Sequence, residues 1–276
     1  MIKRILVALD NSKFSHSVIE YSTFIAKRQD AELTALAVID ETSIEHSIGP
    51  TGIGGSYYAK ELEQYLTEQT KKDLKKVLTD FKKKCNSLKI PHKAVLDIGD
   101  PAEKIFNYSI YFDLIVIGLE THFNFKVSEK PGHTLDKILN HSITPVFAVP
   151  SEYKPFKKVL IGFDGSFASA KAIKKFIHLA IVKDLELKIL IASKPKEEMD
   201  FLKENIAAYL KSYKLSNFTI DMTGADFKEV LESKYSDWAD VMVMGAHSKR
   251  GLVDFLVGST TKYIIKKGNR PVFIGL

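Results

Sequence analysis

At 276 residues, with 45% apolar, 27% charged and 11% aromatic side chains, the chain is long enough for two compact domains and lacks the bias of disordered or fibrous sequences. Its formal charge of +6 arises from 40 basic and 34 acidic residues, and much of the excess sits in one run from Lys71 to Lys84, too local for a nucleic-acid footprint. A lone cysteine, Cys85, excludes an internal disulfide framework and a cysteine metal cluster, and suits a reducing, cytoplasmic compartment.

The first apolar stretch, Ile5 to Leu9, is too short for a signal peptide and runs straight into Asp10, so it reads as a first strand. No apolar run approaches the roughly 18 residues needed to cross a bilayer, and no membrane partner is expected. The stretch Lys3 to Ser12 reappears as Lys157 to Ser166, 154 residues on, each followed by a helical pattern. Asp113 to Gly118 reappears as Asp240 to Gly245, and Pro145-Val146-Phe147 as Pro271-Val272-Phe273, at offsets of 127 and 126. The chain is therefore a tandem repeat whose first copy is expanded between Asp40 and Gly99.

The expansion holds a Gly-rich segment, Gly49 to Gly55, and a long helix with Leu62, Leu66, Leu74, Val77, Phe81 and Cys85 at helical spacing, its lysines on the opposite, solvated face. Turn and breaker residues from Pro150 to Pro155 suit a linker, giving domains 1–150 and 151–276. In each copy, strands alternate with helices. The runs Leu114 to Ile117 and Val241 to Met244 are continuously apolar, as parallel strands covered on both faces should be. The expected fold is two tandem doubly wound α/β domains of Rossmann-like type, binding ligands beyond the carboxyl ends of their strands.

In the second copy the fourth strand ends at Gly245 and is followed by Ser248, Lys249 and Arg250. Gly258-Ser259-Thr260-Thr261 then opens a helix that Ser259 or Thr260 can cap. A helix start of this kind presents aligned N–H donors and a positive dipole end to phosphate. The eight histidines show no metal-ligand spacing, no nucleophile elbow is present, and Ser12 and Ser166 read as helix caps rather than nucleophiles.

The spacing of Gly245, Gly258 and Ser259 resembles the G-x2-G-x9-G-[ST] signature of ATP-binding universal stress proteins, with Ser248 in place of the middle glycine. The openings Ile5 to Ser12 and Val159 to Ser166 resemble that family's first strand and its aspartate, so the resemblance covers both copies. It implies the adenine-nucleotide α-hydrolase-like variant of the fold and an ATP site, with or without Mg2+, made by ten residues of the second copy. Gly162, Phe163 and Asp164 would face the adenosine end, Ala192 and Met244 would stand at the strand ends near adenine, and Gly245 would lie under the ribose. Ser248, Gly258, Ser259 and Thr260 would surround the phosphates.

The first copy departs from the signature: Leu119, Glu120 and Thr121 follow Gly118, and His133 follows Gly132, one residue beyond the family spacing. Its site is expected to be degenerate. The leading expectation is an ATP-binding stress-response or regulatory protein, at most a weak ATPase, in which nucleotide changes the order of the Ser248 to Gly258 loop and thereby alters contacts with a protein partner. The alternatives are a nucleotide-independent interaction module of the same family and an adenylyl-transferring enzyme, for which no supporting motif is present. The resemblance also implies pairing of the two copies through their last strands, and is compatible with a homodimer.

Overall fold

The computed structural model describes residues 1–48, 55–120, 133–179, 184–192, 195–246 and 257–276. The chain divides into two compact units. The N-terminal unit holds Ile2–Thr144 and Val149–Tyr153, and the C-terminal unit holds Met1, Pro145–Ala148 and Lys154–Leu276.

The N-terminal unit runs β1 (Arg4–Leu9), α1 (Phe14–Gln29), β2 (Glu32–Ile39), α2 (Glu41–Ile48), α3 (Ser56–Leu88), β3 (His92–Ile98), α4 (Pro101–Ser109), β4 (Leu114–Gly118) and α5 (His133–His141). Its strands lie in the order β3-β2-β1-β4, and every recorded pairing is parallel. Strand β5 (Val146–Val149) follows, and then come β6 (Lys158–Gly162), α6 (Phe167–His178), β7 (Glu186–Ala192), α7 (Lys196–Ser212) and β8 (Phe218–Thr223). The chain ends with α8 (Phe227–Val230), a π-helical turn (Leu231–Tyr235), β9 (Val241–Gly245), α9 (Ser259–Lys267) and β10 (Val272–Gly275). In the C-terminal unit the order is β5-β10-β9-β6-β7-β8. Strand β10 runs parallel to β9 but antiparallel to β5, with Phe273 opposite Phe147.

This is the doubly wound, mostly parallel α/β architecture that alternating strands and helices lead one to expect. The apolar runs behave accordingly: Ile5 to Leu9, Leu114 to Ile117 and Val241 to Met244 are all buried. Each unit repeats one polar device. Asp113 Oδ2 accepts from the Lys3 and Arg4 N–H groups at 2.7 and 3.0 Å, and Asp240 Oδ2 from those of Lys157 and Lys158 at 2.9 Å each. The carboxylate satisfies two strand-edge donors at once and sets the fourth strand in register with the first.

Helix α3 corrects one expectation. Its buried face is Leu74, Leu78, Phe81 and Cys85; Val77 is half-buried, and Leu62 is 46% exposed. Cys85 is fully buried, and desolvation pushes its thiol up to about 12, which withholds the reactive thiolate. Native protein is therefore expected not to react with Ellman's reagent at pH 8 and to release one equivalent of thiol in denaturant. Rapid reaction of the native form would place Cys85 at the surface.

Candidate functional site

The second copy builds its strand-end cleft from the turns that follow β6, β8 and β9. At the end of β6, the Phe163 N–H donates to the Leu190 carbonyl at 3.1 Å, which extends the β6–β7 ladder and delivers Asp164 just beyond it. Asp164 is exposed, and its Oδ1 accepts from the Ser166 N–H at 3.0 Å and the Ser169 hydroxyl at 2.7 Å. Ser166 caps α6, accepting from the Ser169 N–H, as the sequence pattern suggests. Two donors on one oxygen orient the carboxylate toward the cleft rather than leaving it to wander in water.

The third turn lies between β9 and α9. The Gly258 N–H donates to the Ala246 carbonyl at 2.9 Å, and the Gly258 carbonyl accepts the first helical bond, from Lys262, at 2.9 Å. Gly258 is itself the N-cap, with no side-chain cap, so the expectation that Ser259 or Thr260 caps this helix is corrected. Both serve instead in its first turn, where the N–H groups have no earlier carbonyl to meet. Thr261 Oγ1 donates to the Gly245 carbonyl at 2.8 Å and ties the helix start to the end of β9.

These turns enclose a cavity of about 300 Å3. Gly162, Phe163, Asp164, Ala192, Met244, Gly245, Gly258, Ser259 and Thr260 all line it. The tenth residue, Ser248, lies outside the described residues, as do Lys249 and Arg250. Gly245 has a plainer reason to lack a side chain than room for a ribose: a Cβ there would lie 2.5 Å from the Ala168 carbonyl carbon of α6. The glycine admits the helix, and the helix forms the cavity wall.

Seven further lining residues escaped sequence reasoning: Ser166, Ala168, Ser169, Leu190, Asp226, Phe227 and Thr261. The repeat held a signal for one pair. Asp226 caps α8 by accepting from the Lys228 N–H, at the position where Asp100 caps α4 in the first copy by accepting from the Glu103 N–H. Asp164 and Asp226 are the carboxylates of the described lining, and no described lysine or arginine joins them.

The first copy uses the same local chemistry to a different end. Asp10 Oδ1 accepts from the Ser12 N–H and hydroxyl and from the Ser15 hydroxyl, but Asp10 is only 4% exposed. Helix α3 reaches this strand end, where Asn11 Nδ2 donates to Asp73 Oδ2 at 3.0 Å. Phe14 replaces Ala168. It is buried, and its ring lies close over Gly118, 3.1 Å from where a Cβ would stand. The N-terminal unit also holds a separate polar cavity of about 320 Å3, lined by Asp40, Ser43, His46, Asp100, Thr134 and Lys137 among others. Burial, with Asp100 adding to it against the Ser43 N–H, holds the Asp40 carboxyl above the usual range. Gly132 and most of the Gly49 to Gly55 segment lie outside the described residues.

Comparison with known proteins agrees with the repeat. The Universal stress protein family profile matches residues 1–150 and 223–274. The chain belongs to the universal stress protein family. A universal stress protein of Synechocystis is 23% identical over 98% of this chain and 99% of its own length, so the tandem arrangement is shared end to end. One from Methanocaldococcus jannaschii is 32% identical over 32% of this chain and 52% of its own. The solved universal stress protein of Archaeoglobus fulgidus superposes with a TM-score of 0.68 at 20% identity, covering 98% of this chain and 97% of that one, which shows a common fold. In this universal stress protein no helix among the described residues is long and apolar enough to cross a membrane. No cluster of three His, Cys, Asp or Glu side chains among them could hold a metal ion.

Proposed function

We propose that this universal stress protein binds ATP in the cavity of its C-terminal unit and acts in the cytoplasm as a nucleotide-responsive regulator rather than a catalyst. The observation carrying this reading is the meeting of a first-strand carboxylate and an uncapped helix start on one 300 Å3 cavity. Phosphate suits the α9 start, where aligned N–H groups and the dipole favour an anion. Asp164 suits the other end, where a carboxylate can accept from ribose hydroxyls without facing phosphate charge. Phe163, Leu190, Ala192 and Met244 supply the apolar surface that a purine needs.

A magnesium ion arriving with the triphosphate would draw on its phosphates and on water, since Asp164 stands at the adenosine end in this reading. The described lining holds no general base aimed at a phosphate, so hydrolysis is at most weak. The first copy is the non-binding partner in this reading, because Phe14 and the buried Asp10 take the places of Ala168 and the exposed Asp164. Bound nucleotide then acts by altering contacts with a protein partner.

Isothermal titration with Mg-ATP is the test. One site per chain is expected, and Gly258→Val should weaken it at least about 10-fold, or roughly 1.4 kcal/mol. Gly258 sits at φ −59°, ψ 147°, which valine adopts readily, so the fold survives the change. No heat at millimolar ATP would sink the proposal, and so would two equivalent sites per chain.

A further inference from the structure

The polar cavity of the N-terminal unit stands at the carboxyl ends of β2 and β3, where doubly wound sheets take their ligands. Helix α2, part of the expansion that the second copy lacks, gives it one wall with Ser43, His46 and Ser47. Apart from Pro101 and Ala102 the described lining is polar, so its 320 Å3 suit a small hydrophilic molecule rather than a purine or an acyl chain. Two side chains of this lining are left unsatisfied. Asp100 uses both carboxylate oxygens, Oδ1 for the Glu103 N–H at 2.9 Å and Oδ2 for the Lys137 ammonium at 3.0 Å. Asp40 uses one: Oδ1 accepts from the Ser43 N–H at 3.0 Å, and Oδ2 accepts from no described group. Burial already holds this carboxyl above the usual range, so a bare oxygen on it is costly. Thr134, in the first turn of α5, is only 7% exposed, yet its hydroxyl makes no hydrogen bond to any described group. Buried polar groups ordinarily have partners, and both of these face one cavity.

We propose that this cavity binds a small aliphatic ammonium ion, that of an amine or an amino alcohol, held by Asp40 and Thr134. Two carboxylates face a single lysine, and Lys137 is engaged with Asp100, so the uncompensated negative charge of the lining resides on Asp40. An ammonium supplies the donor that Asp40 Oδ2 lacks, and the Thr134 hydroxyl accepts a further N–H or donates to a hydroxyl of the ligand. A carboxylate or phosphate ligand would instead bring its charge up to both aspartates. The second copy does not share this chemistry: at the repeat offsets of 154 and 126, Asp40 answers to Lys194 and Lys137 to Tyr263. Amine binding here does not require nucleotide in the C-terminal unit.

Isothermal titration of the full chain, free of nucleotide, with ethanolamine and with putrescine at low ionic strength is the test. At least one of them should bind with a dissociation constant on the order of 1 mM or below. The comparison separates an amino alcohol, which offers Thr134 a hydroxyl, from a diamine. Asp40→Asn keeps an oxygen for the Ser43 N–H, and so the start of α2, while removing the charge; it should weaken binding at least about 10-fold. Thr134→Val keeps the buried shape and should weaken binding about 3-fold or more. Circular dichroism of both variants should match that of the wild type. Glycine and acetate, which carry a carboxylate, should bind at least about 10-fold more weakly than the better amine. No heat from either amine at about 10 mM overturns the proposal. So does wild-type affinity in either variant, or glycine or acetate binding as tightly as the amines.

Discussion

Replacing Ala168 by phenylalanine is expected to weaken ATP binding at least about 100-fold, or some 2.7 kcal/mol, while leaving the fold intact. The first copy supplies the reason. Its equivalent residue, Phe14, is buried with its ring over Gly118, and Ala168 borders both Gly245 and the cavity. A ring at position 168 takes the space that the proposed site reserves for adenosine, in a setting the fold already tolerates once. The measurement is a pair of thermal melts. Saturating ATP, at about 100 times the wild-type dissociation constant, should stabilise the wild type by roughly 2.7 kcal/mol and the variant by no more than about 0.4 kcal/mol. An Ala168→Phe protein that keeps its ATP shift would move the nucleotide out of this cavity.

The second large effect belongs to Gly275→Val, which is expected to cost the C-terminal unit about 3 kcal/mol or more. A Cβ at this position would lie 2.2 Å from the Cα of Ala172 and 2.7 Å from its N, and backbone atoms in a helix cannot swing aside as a side chain can. Helix α6 would have to retreat from β10, opening the contact of Phe176 with Phe273, whose rings stand 5.2 Å apart edge to face. It would also displace Ser166 and Ser169, which hold Asp164. Urea unfolding should show a clearly lower midpoint, with Gly275→Ala between the two, and ATP affinity should fall in the same order. A wild-type midpoint for the valine variant would mean that α6 stands farther from the strand.

Both predictions concern residues outside the sequence signature, and this shows where legibility ended. The glycines and the Gly258-Ser259-Thr260 turn were readable because phosphate chemistry restricts which residues can stand at a helix start. Ala168 and Leu190 were not, since an alanine in a helix and a leucine in a strand look the same whether they face a neighbour or a cleft. On α3, the apolar residues offered more than one stripe at helical spacing. Helical spacing alone groups Leu62 with Leu74, Phe81 and Cys85, yet it lies about 120° or more around the helix from Leu74 and Leu78. Periodicity locates a stripe, but only the packing partner shows which stripe is inside.

The sequence by itself determined the duplication, the alternation of strands and helices, the buried parallel strands and the family. These follow from local pattern, because a period and an apolar run are complete within a few residues. Tertiary structure decided how the copies differ. Both begin with an aspartate, a serine two residues on and another three beyond that, and both turn the carboxylate onto those serines. Only in the second does the aspartate stay exposed beside a cavity; in the first, Phe14 stands at the strand end in place of Ala168 and Asp10 is buried. Burial depends on what elements distant in sequence bring to that strand end, and local pattern does not carry that information.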